Sequence, residues 1–139
     1  MCMRTLLRSL AQALSIGALS TMALSSGSAF AQAPDAAAHK AWMNDASDAQ
    51  EDYRFALTEK DQKAAVEALG KLDPLMARTE DYWTARKAGD GVKLTKETRA
   101  FAAQALAAAK GGNLTAATAA FDKMGATCNA CHELHLEKR

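Results

Sequence analysis

Three residues near the end of the chain have the types and the spacing for covalent cofactor chemistry. Cys128 and Cys131 are separated by two residues, and His132 follows directly, in the pattern C-x-x-C-H. On a helix, thiols three positions apart lie one turn apart on one side, so each can form a thioether with one haem vinyl group. The histidine that follows is positioned to bind the iron as the proximal ligand. The pattern therefore predicts one covalently attached haem c, held by Cys128 and Cys131 and ligated by His132.

Two other kinds of site also use closely spaced cysteines. A redox dithiol belongs beside a helix N-terminus in a βαβ setting, and this chain shows no strand-like alternation of apolar residues. A zinc site needs four nitrogen or sulfur ligands, which Cys128, Cys131, His132 and His135 could supply without the paired spacing of a zinc finger. The dithiol and the zinc-binding helical domain stay as remote alternatives to haem.

The first 31 residues have the layout of a secretory signal peptide. Arg4 and Arg8 form a positive segment, an uncharged apolar run covers positions 10–24, and Ala29 and Ala31 supply small residues before a cleavage site. Cleavage after Ala31 leaves one domain at 32–139 with no membrane anchor. It also removes Cys2, so the exported chain keeps only the two cysteines of the motif. We expect a periplasmic protein.

Composition narrows the class of protein further. The 139 residues include 17 Lys+Arg and 16 Asp+Glu, with a formal net charge of +1, which excludes an acidic disordered tail and a strongly basic nucleic-acid binder. Two prolines and eight glycines are few, and alanine is abundant, which favours helices. The sequence contains no catalytic triad and no glycine-rich phosphate loop. We therefore expect no enzyme activity.

Apolar residues recur at helical spacing in four segments, predicted at about 35–57, 59–87, 95–110 and 114–137. Asp73-Pro74 predicts a kink or short break in the second segment, because proline removes a backbone donor. Gly89-Asp90-Gly91 is predicted to end it. Thr58, Thr95 and Asn113 are predicted N-caps of the second, third and fourth helices. The short connections predict an all-α, antiparallel up-down-up-down four-helix bundle with haem on the C-terminal helix.

One face of the first helix is predicted to point inward. Its residues are His39, Trp42, Met43, Ala46, Ala49, Tyr53, Ala56 and Leu57. A large apolar cofactor would also need aromatic walls. The candidates for these walls are Trp42, Tyr53, Tyr82, Trp83, Phe101 and Phe121.

The run from Phe121 to His132 resembles the last helix of the class II cytochromes c, which comprise cytochrome c′ and the low-spin cytochrome c556 type. The layout of four helices with haem on the fourth, behind a signal peptide, is also similar. The family usually has an arginine four residues after the ligand histidine, and this chain has Leu136 there. The resemblance implies a periplasmic protein that carries one electron through haem and docks transiently with redox partner proteins. It also implies that two copies can pair through their first two helices.

The resemblance further implies that the first helix faces the open side of the haem. Low-spin members use a methionine there, and Met43 is the only methionine on this helix, so Met43 is the predicted sixth ligand. The alternative use of Met43 is as core filler. His39, one turn earlier, could ligate instead. With no sixth protein ligand, the protein would be a five-coordinate, cytochrome c′-like haem protein that binds nitric oxide or carbon monoxide.

Overall fold

The computed structural model describes residues 35–135, and these form five α-helices joined by short turns. They are α1 (Ala36–Thr58), α2 (Gln62–Gly70), α3 (Leu72–Ala85), α4 (Gly89–Lys110) and α5 (Leu114–His135). Residues 35–135 contain no strand, so the all-α prediction is confirmed for this part of the chain. The predicted signal peptide at 1–31 lies outside the described residues. Because α2 and α3 together make the predicted second helix, four helical segments pack together.

The break between α2 and α3 follows from Pro74. Proline has no N–H to donate to the carbonyl four residues earlier, which is that of Gly70, and its ring crowds that carbonyl. The helix is interrupted at Lys71, whose N–H instead bonds the Ala68 carbonyl at 3.2 Å. Lys71 keeps helical dihedral angles, with φ −76° and ψ −23°. The predicted kink is therefore confirmed, and it lies a few residues before the proline that causes it.

The cap predicted at Thr58 is wrong. Thr58 is the last residue of α1, and its hydroxyl donates to the Phe55 carbonyl at 2.7 Å. The chain reverses at Lys60, which has a left-handed φ of 55°, and Asp61 then caps α2 by accepting from the Ala64 N–H at 2.9 Å. A carboxylate is a strong N-cap, so α2 begins where the Asp61 side chain can accept a hydrogen bond from a backbone N–H of the first turn. At the start of α5 the predicted cap is confirmed, since the Asn113 side chain accepts from Ala116 N–H at 2.9 Å.

The predicted boundary before α4 is also wrong. Gly89-Asp90-Gly91 forms the first turn of α4, and Thr95 lies buried inside that helix, where its hydroxyl donates to the Gly91 carbonyl at 2.8 Å. The reason for the second glycine is close packing. A Cβ at position 91 would lie 2.7 Å from the ring carbons of Trp83. Gly91 therefore lets α4 approach Trp83, and a nearby left-handed residue, Lys87 (φ 57°), ends α3 instead.

The core is built mainly from alanine. Its buried members include Ala46, Ala49, Ala56, Ala65, Ala68, Ala102, Ala105, Ala109 and Ala117, with Tyr53, Leu69, Leu72, Phe121 and Met124 as the larger residues. Small side chains allow close backbone approach, and α4 and α5 make the most extensive such contact. The inward face predicted for α1 is confirmed by its buried residues, Ala46, Ala49, Tyr53 and Ala56.

The α1–α5 side of the bundle is different. These two helices have almost no close backbone approach and contact each other through long side chains. The Tyr53 ring lies 4.5 Å from the Phe121 ring, and its hydroxyl is 3.3 Å from that of Thr118. Among residues 35–135, no helix combines the length and hydrophobicity of a membrane span.

Candidate functional site

The C-x-x-C-H residues lie near one end of the helices, which we call the motif end. There the start of α1 meets the end of α3, the start of α4 and the end of α5. Its residues are His39, Tyr82, Trp83, Arg86, Asp90, Gly91, Cys128, Cys131, His132 and His135. The motif is thus surrounded by side chains from four helices, although its own three residues belong to one.

Both motif cysteines are free thiols and half-buried on α5. Burial raises the pKa of Cys128, and a hydrogen bond with Thr98 only partly opposes this. Burial also raises the pKa of Cys131, helped by the charges of Cys128 and Asp90. A catalytic dithiol needs the opposite, a thiol pKa lowered by positive surroundings. The raised pKa values of the two thiols therefore do not favour the dithiol alternative.

His132 occupies an exposed position on the same helix. Its side chain is close enough to His39 on α1 to contribute to lowering the pKa of that residue. The structure thus brings together the predicted iron ligand and one of the residues considered for the other side of the haem. Met43 is half-buried on α1 and packs against the hydrophobic core, as Cys128 does from α5.

Four aromatic rings, which we call the ring cluster, pack together at the motif end, three of them in mutual contact. They belong to His39, Tyr82, Trp83 and His135. The His39 ring stacks on Tyr82 at 3.9 Å and 12°, and it meets Trp83 nearly edge-on at 5.3 Å. The Trp83 ring also lies 4.3 Å from His135. The predicted aromatic walls are therefore split, since Tyr82 and Trp83 belong to this cluster whereas Tyr53 and Phe121 contact each other farther along the helices.

The ring cluster contains three buried nitrogens without a hydrogen-bond partner: His39 Nε2, Trp83 Nε1 and His135 Nε2. His135 Nε2 is 3.3 Å from Asp90 Oδ1, within ion-pair distance when the imidazole is protonated, but the direction does not suit a hydrogen bond. A buried polar group left unpaired costs about 1–3 kcal/mol. These are the only such side-chain atoms in residues 35–135. Within residues 35–135, the buried side-chain nitrogens without hydrogen-bond partners therefore all lie in the ring cluster, near the motif.

Charge at the motif end is mixed. The Arg86 guanidinium carbon lies 3.5 Å from the centroid of the Tyr82 ring. The His39 ring stacks on this same tyrosine ring. Burial lowers the pKa of His39, and the charges of Arg86 and His132 lower it further. His39 is therefore a neutral imidazole at pH 7 in this arrangement. It retains one N–H donor and one acceptor nitrogen.

The structure gives no ligand set of the zinc type. Within 35–135, no three side chains of His, Cys, Asp or Glu converge as a group that could hold a metal ion. His135 points its ring toward Trp83, while Cys128 lies beside Thr98. The four residues proposed for zinc from their spacing are therefore not brought together.

Several residues of the site could not be identified from the sequence. Thr98 on α4 contacts Cys128 and lies 2.8 Å, oxygen to oxygen, from Thr127. From the sequence, Asp90 and Gly91 are predicted to end a helix, and no role is predicted for Arg86. Position in the sequence gives no signal for these residues, because each acts through contacts between helices.

Comparisons of the chain with protein families, with curated proteins and with solved structures found no match. The residues present nevertheless fit a covalently held haem by their chemistry. Two free thiols separated by two residues, an imidazole directly after them and unpaired buried nitrogens nearby are groups to which such a cofactor could bond.

Proposed function

We propose that this protein is a c-type cytochrome that carries one electron through a single covalently bound haem. The observation that carries the proposal is the C-x-x-C-H motif on α5, with two free, half-buried thiols beside the buried nitrogens that lack partners. Haem would supply the one-electron couple.

Cys128 and Cys131 would hold the cofactor. Each thiol would form one thioether with a vinyl group of the haem, the S–H hydrogen going to the other vinyl carbon. The helix sets the two sulfurs one turn apart, which matches two vinyl groups of one ring. His132 would bind the iron. The raised pKa values of the thiols keep them protonated at neutral pH until they react.

Met43 is the proposed sixth ligand, with α1 and α5 running in opposite directions in an up-down-up-down bundle. Tyr53 and Phe121 contact each other and give the register of the two helices. Counting equally back from Tyr53 and onward from Phe121 leads to Met43 and to Cys131, the neighbour of His132. In this antiparallel arrangement, Met43 would lie at the depth of the motif, on the side where the backbones of α1 and α5 stay apart. His39 lies one turn nearer the end.

A methionine opposite histidine favours the reduced iron and raises the potential, as suits an electron carrier. We place this carrier in the periplasm, exported by the segment at 1–31 and docking briefly with redox partner proteins. Transient redox complexes have small interfaces, so strong association is not expected. If the sixth position had no protein ligand, the same site would bind nitric oxide or carbon monoxide instead.

Visible spectra of the exported protein, with and without carbon monoxide, test the proposal. We expect covalent haem, a low-spin reduced spectrum, a methionine-to-iron charge-transfer band in the oxidised state and no rapid binding of carbon monoxide. Met43→Leu should lose that band and admit carbon monoxide, whereas Met76→Leu on α3 should change neither. Rapid carbon monoxide binding by the unsubstituted protein would favour the gas-binding alternative. Exported protein without covalent haem would refute both.

A further inference from the structure

We propose that the ring cluster at the motif end binds a carboxylate through His39 and Trp83, and that this carboxylate is a haem propionate. The inference rests on the proposed function, since it names the part of the chain that would receive the polar edge of the cofactor. It concerns residues on α1 and α3, which are remote in sequence from the attachment motif.

The indole of Trp83 restricts the chemistry of the partner. Trp83 is 9% exposed, and its Nε1 is buried without a hydrogen-bond partner. An indole N–H can only donate, so the missing partner must be an acceptor and cannot be a metal ion or a second donor. The ring is fixed by the edge of His39, by the face of His135 and by the backbone of α4 at Gly91. Its N–H direction is therefore set before any partner arrives.

His39 supplies a second group of the same kind. Its Nε2 is also buried and unpartnered, and its ring is held between Tyr82 and Trp83. With its proton on Nε2, the neutral His39 imidazole is a donor at this atom. Two donors in contact rings then suit the two oxygens of a carboxylate, which accepts up to four hydrogen bonds. A carbonyl group would use the same donors, but a haem carries carboxylates at its periphery and the proposed cofactor lies beside this cluster.

The titratable groups around the cluster come from three helices and from the turn after α3. His39 lies on α1, and Arg86 follows α3 and lies over Tyr82. On the other side of Trp83, Asp90 of α4 lies 3.3 Å from the Nε2 of His135 on α5, and His132 is within electrostatic reach of His39. Arg86 favours an anion beside His39, whereas Asp90 disfavours one beside His135. The carboxylate is therefore assigned to the His39 side of the cluster.

The test uses the haem-bearing protein and three substitutions that each keep an aromatic ring. Trp83→Phe and His39→Phe remove one proposed donor each, and Tyr53→Phe removes a hydroxyl that lies away from the motif end, beside Thr118. A hydrogen bond to the ionised form lowers a carboxyl pKa, so each of the first two substitutions should raise the proton affinity of the propionate about tenfold or more. The pH midpoint of the reduction potential, and that of the propionate band in the resonance Raman spectrum, report this affinity.

We expect both midpoints to move upward in Trp83→Phe and His39→Phe and to stay unchanged in Tyr53→Phe. Unchanged midpoints in both donor variants, with haem still attached, would overturn this inference and leave the proposed function intact. Measurements in chloride and in acetate separate the sources of the carboxylate. A wild-type midpoint that moves on adding acetate would show that an external carboxylate occupies the cluster, which overturns the propionate assignment. Absence of covalent haem in the wild type would overturn the proposed function itself.

Discussion

The two ends of the helices contain similar kinds of residues, but their buried polar groups differ in how completely they are hydrogen-bonded. At the end opposite the motif, which we call the closed end, α1 meets α2 and α4 meets α5. There the fully buried Tyr53 has its hydroxyl 3.3 Å from that of Thr118, and the Gln62 amide donates to the Ala109 carbonyl at 2.9 Å. At the motif end, the buried nitrogens of His39, Trp83 and His135 have no partners.

This difference shows where the chain supplies hydrogen-bond partners for its own buried polar groups and where it does not. Buried polar groups in folded proteins are nearly always hydrogen-bonded, because leaving them unpaired costs free energy. The closed end obeys this rule with its own residues. The motif end departs from it only beside the residues that could attach a cofactor. The departure therefore supports a bound group as part of the native structure.

The largest effect is expected from removing both thiols of the motif. Cys128→Ser combined with Cys131→Ser should abolish covalent haem, because a hydroxyl does not replace the thiol in thioether formation. Intact mass and haem staining of the exported protein measure this directly. Ala126→Ser, an exposed substitution on the same helix, should retain full haem. A double variant that still carried the added mass of haem would contradict the attachment site.

The closed end should lose stability without losing haem. Tyr53 is completely buried, so Tyr53→Ala should cost about 3–5 kcal/mol in the free energy of unfolding. Tyr53→Phe removes only the hydroxyl and should cost about 1 kcal/mol. Denaturant titration gives both values, and the haem content of the folded protein should equal that of the wild type. Loss of haem in Tyr53→Phe would mean that the two ends are not independent.

The contact between α4 and Trp83 should tolerate no added volume. Gly91→Ala places a Cβ 2.7 Å from the Trp83 ring and should cost about 1–3 kcal/mol through overpacking. Gly125→Ala on α5 is the matched control, since a Cβ there meets no atom within 4 Å and alanine favours the helix. We expect a gain of up to about 1 kcal/mol at position 125. Equal effects at the two glycines, measured by denaturant unfolding, would rule out the packing explanation.

The smallest effects are expected at the two left-handed lysines, one near each end. Lys60 ends α1 with φ 55°, and Lys87 follows α3 with φ 57°. Left-handed backbone costs a residue with a Cβ about 1–2 kcal/mol, so Lys60→Gly and Lys87→Gly should each raise stability by up to about 1 kcal/mol after the entropy loss of glycine. Thermal unfolding measures both. A gain at one position only would show that the lysine side chain contributes at the other.

The sequence was sufficient where a single local rule decides the structure. Pro74 predicted the break in the second helix, Asn113 predicted the start of α5, and the spacing of Cys128 and Cys131 predicted their shared side of one helix. It failed at Thr58 and Thr95, where a hydroxyl that could cap a helix instead donates to a carbonyl within one. Side-chain type allows both roles, and only the position of the neighbouring turn selects between them.

The site was predictable only in its attachment residues. Gly91 was predicted to end a helix because glycine is common at helix ends, but it is also used where helices pack closely. Only its contact with Trp83 shows that close packing is the reason for glycine here. The ring cluster joins His39, Tyr82 and His135 from three helices, so no spacing in the sequence indicates it. Met43 at the sixth position and the class II resemblance stay predictions.

The sparse contact between α1 and α5 has a consequence for the order of assembly. Because α4 and α5 approach each other closely along their backbones, whereas α1 does so only with α2 and α3, the contact between α1 and α5 is the one that can form last. A cofactor could then be ligated while α4 and α5 are already paired, and α1 would pack over it afterwards. Pulsed hydrogen exchange during refolding should find α1 protected after α4 and α5; earlier protection of α1 would exclude this sequence of events.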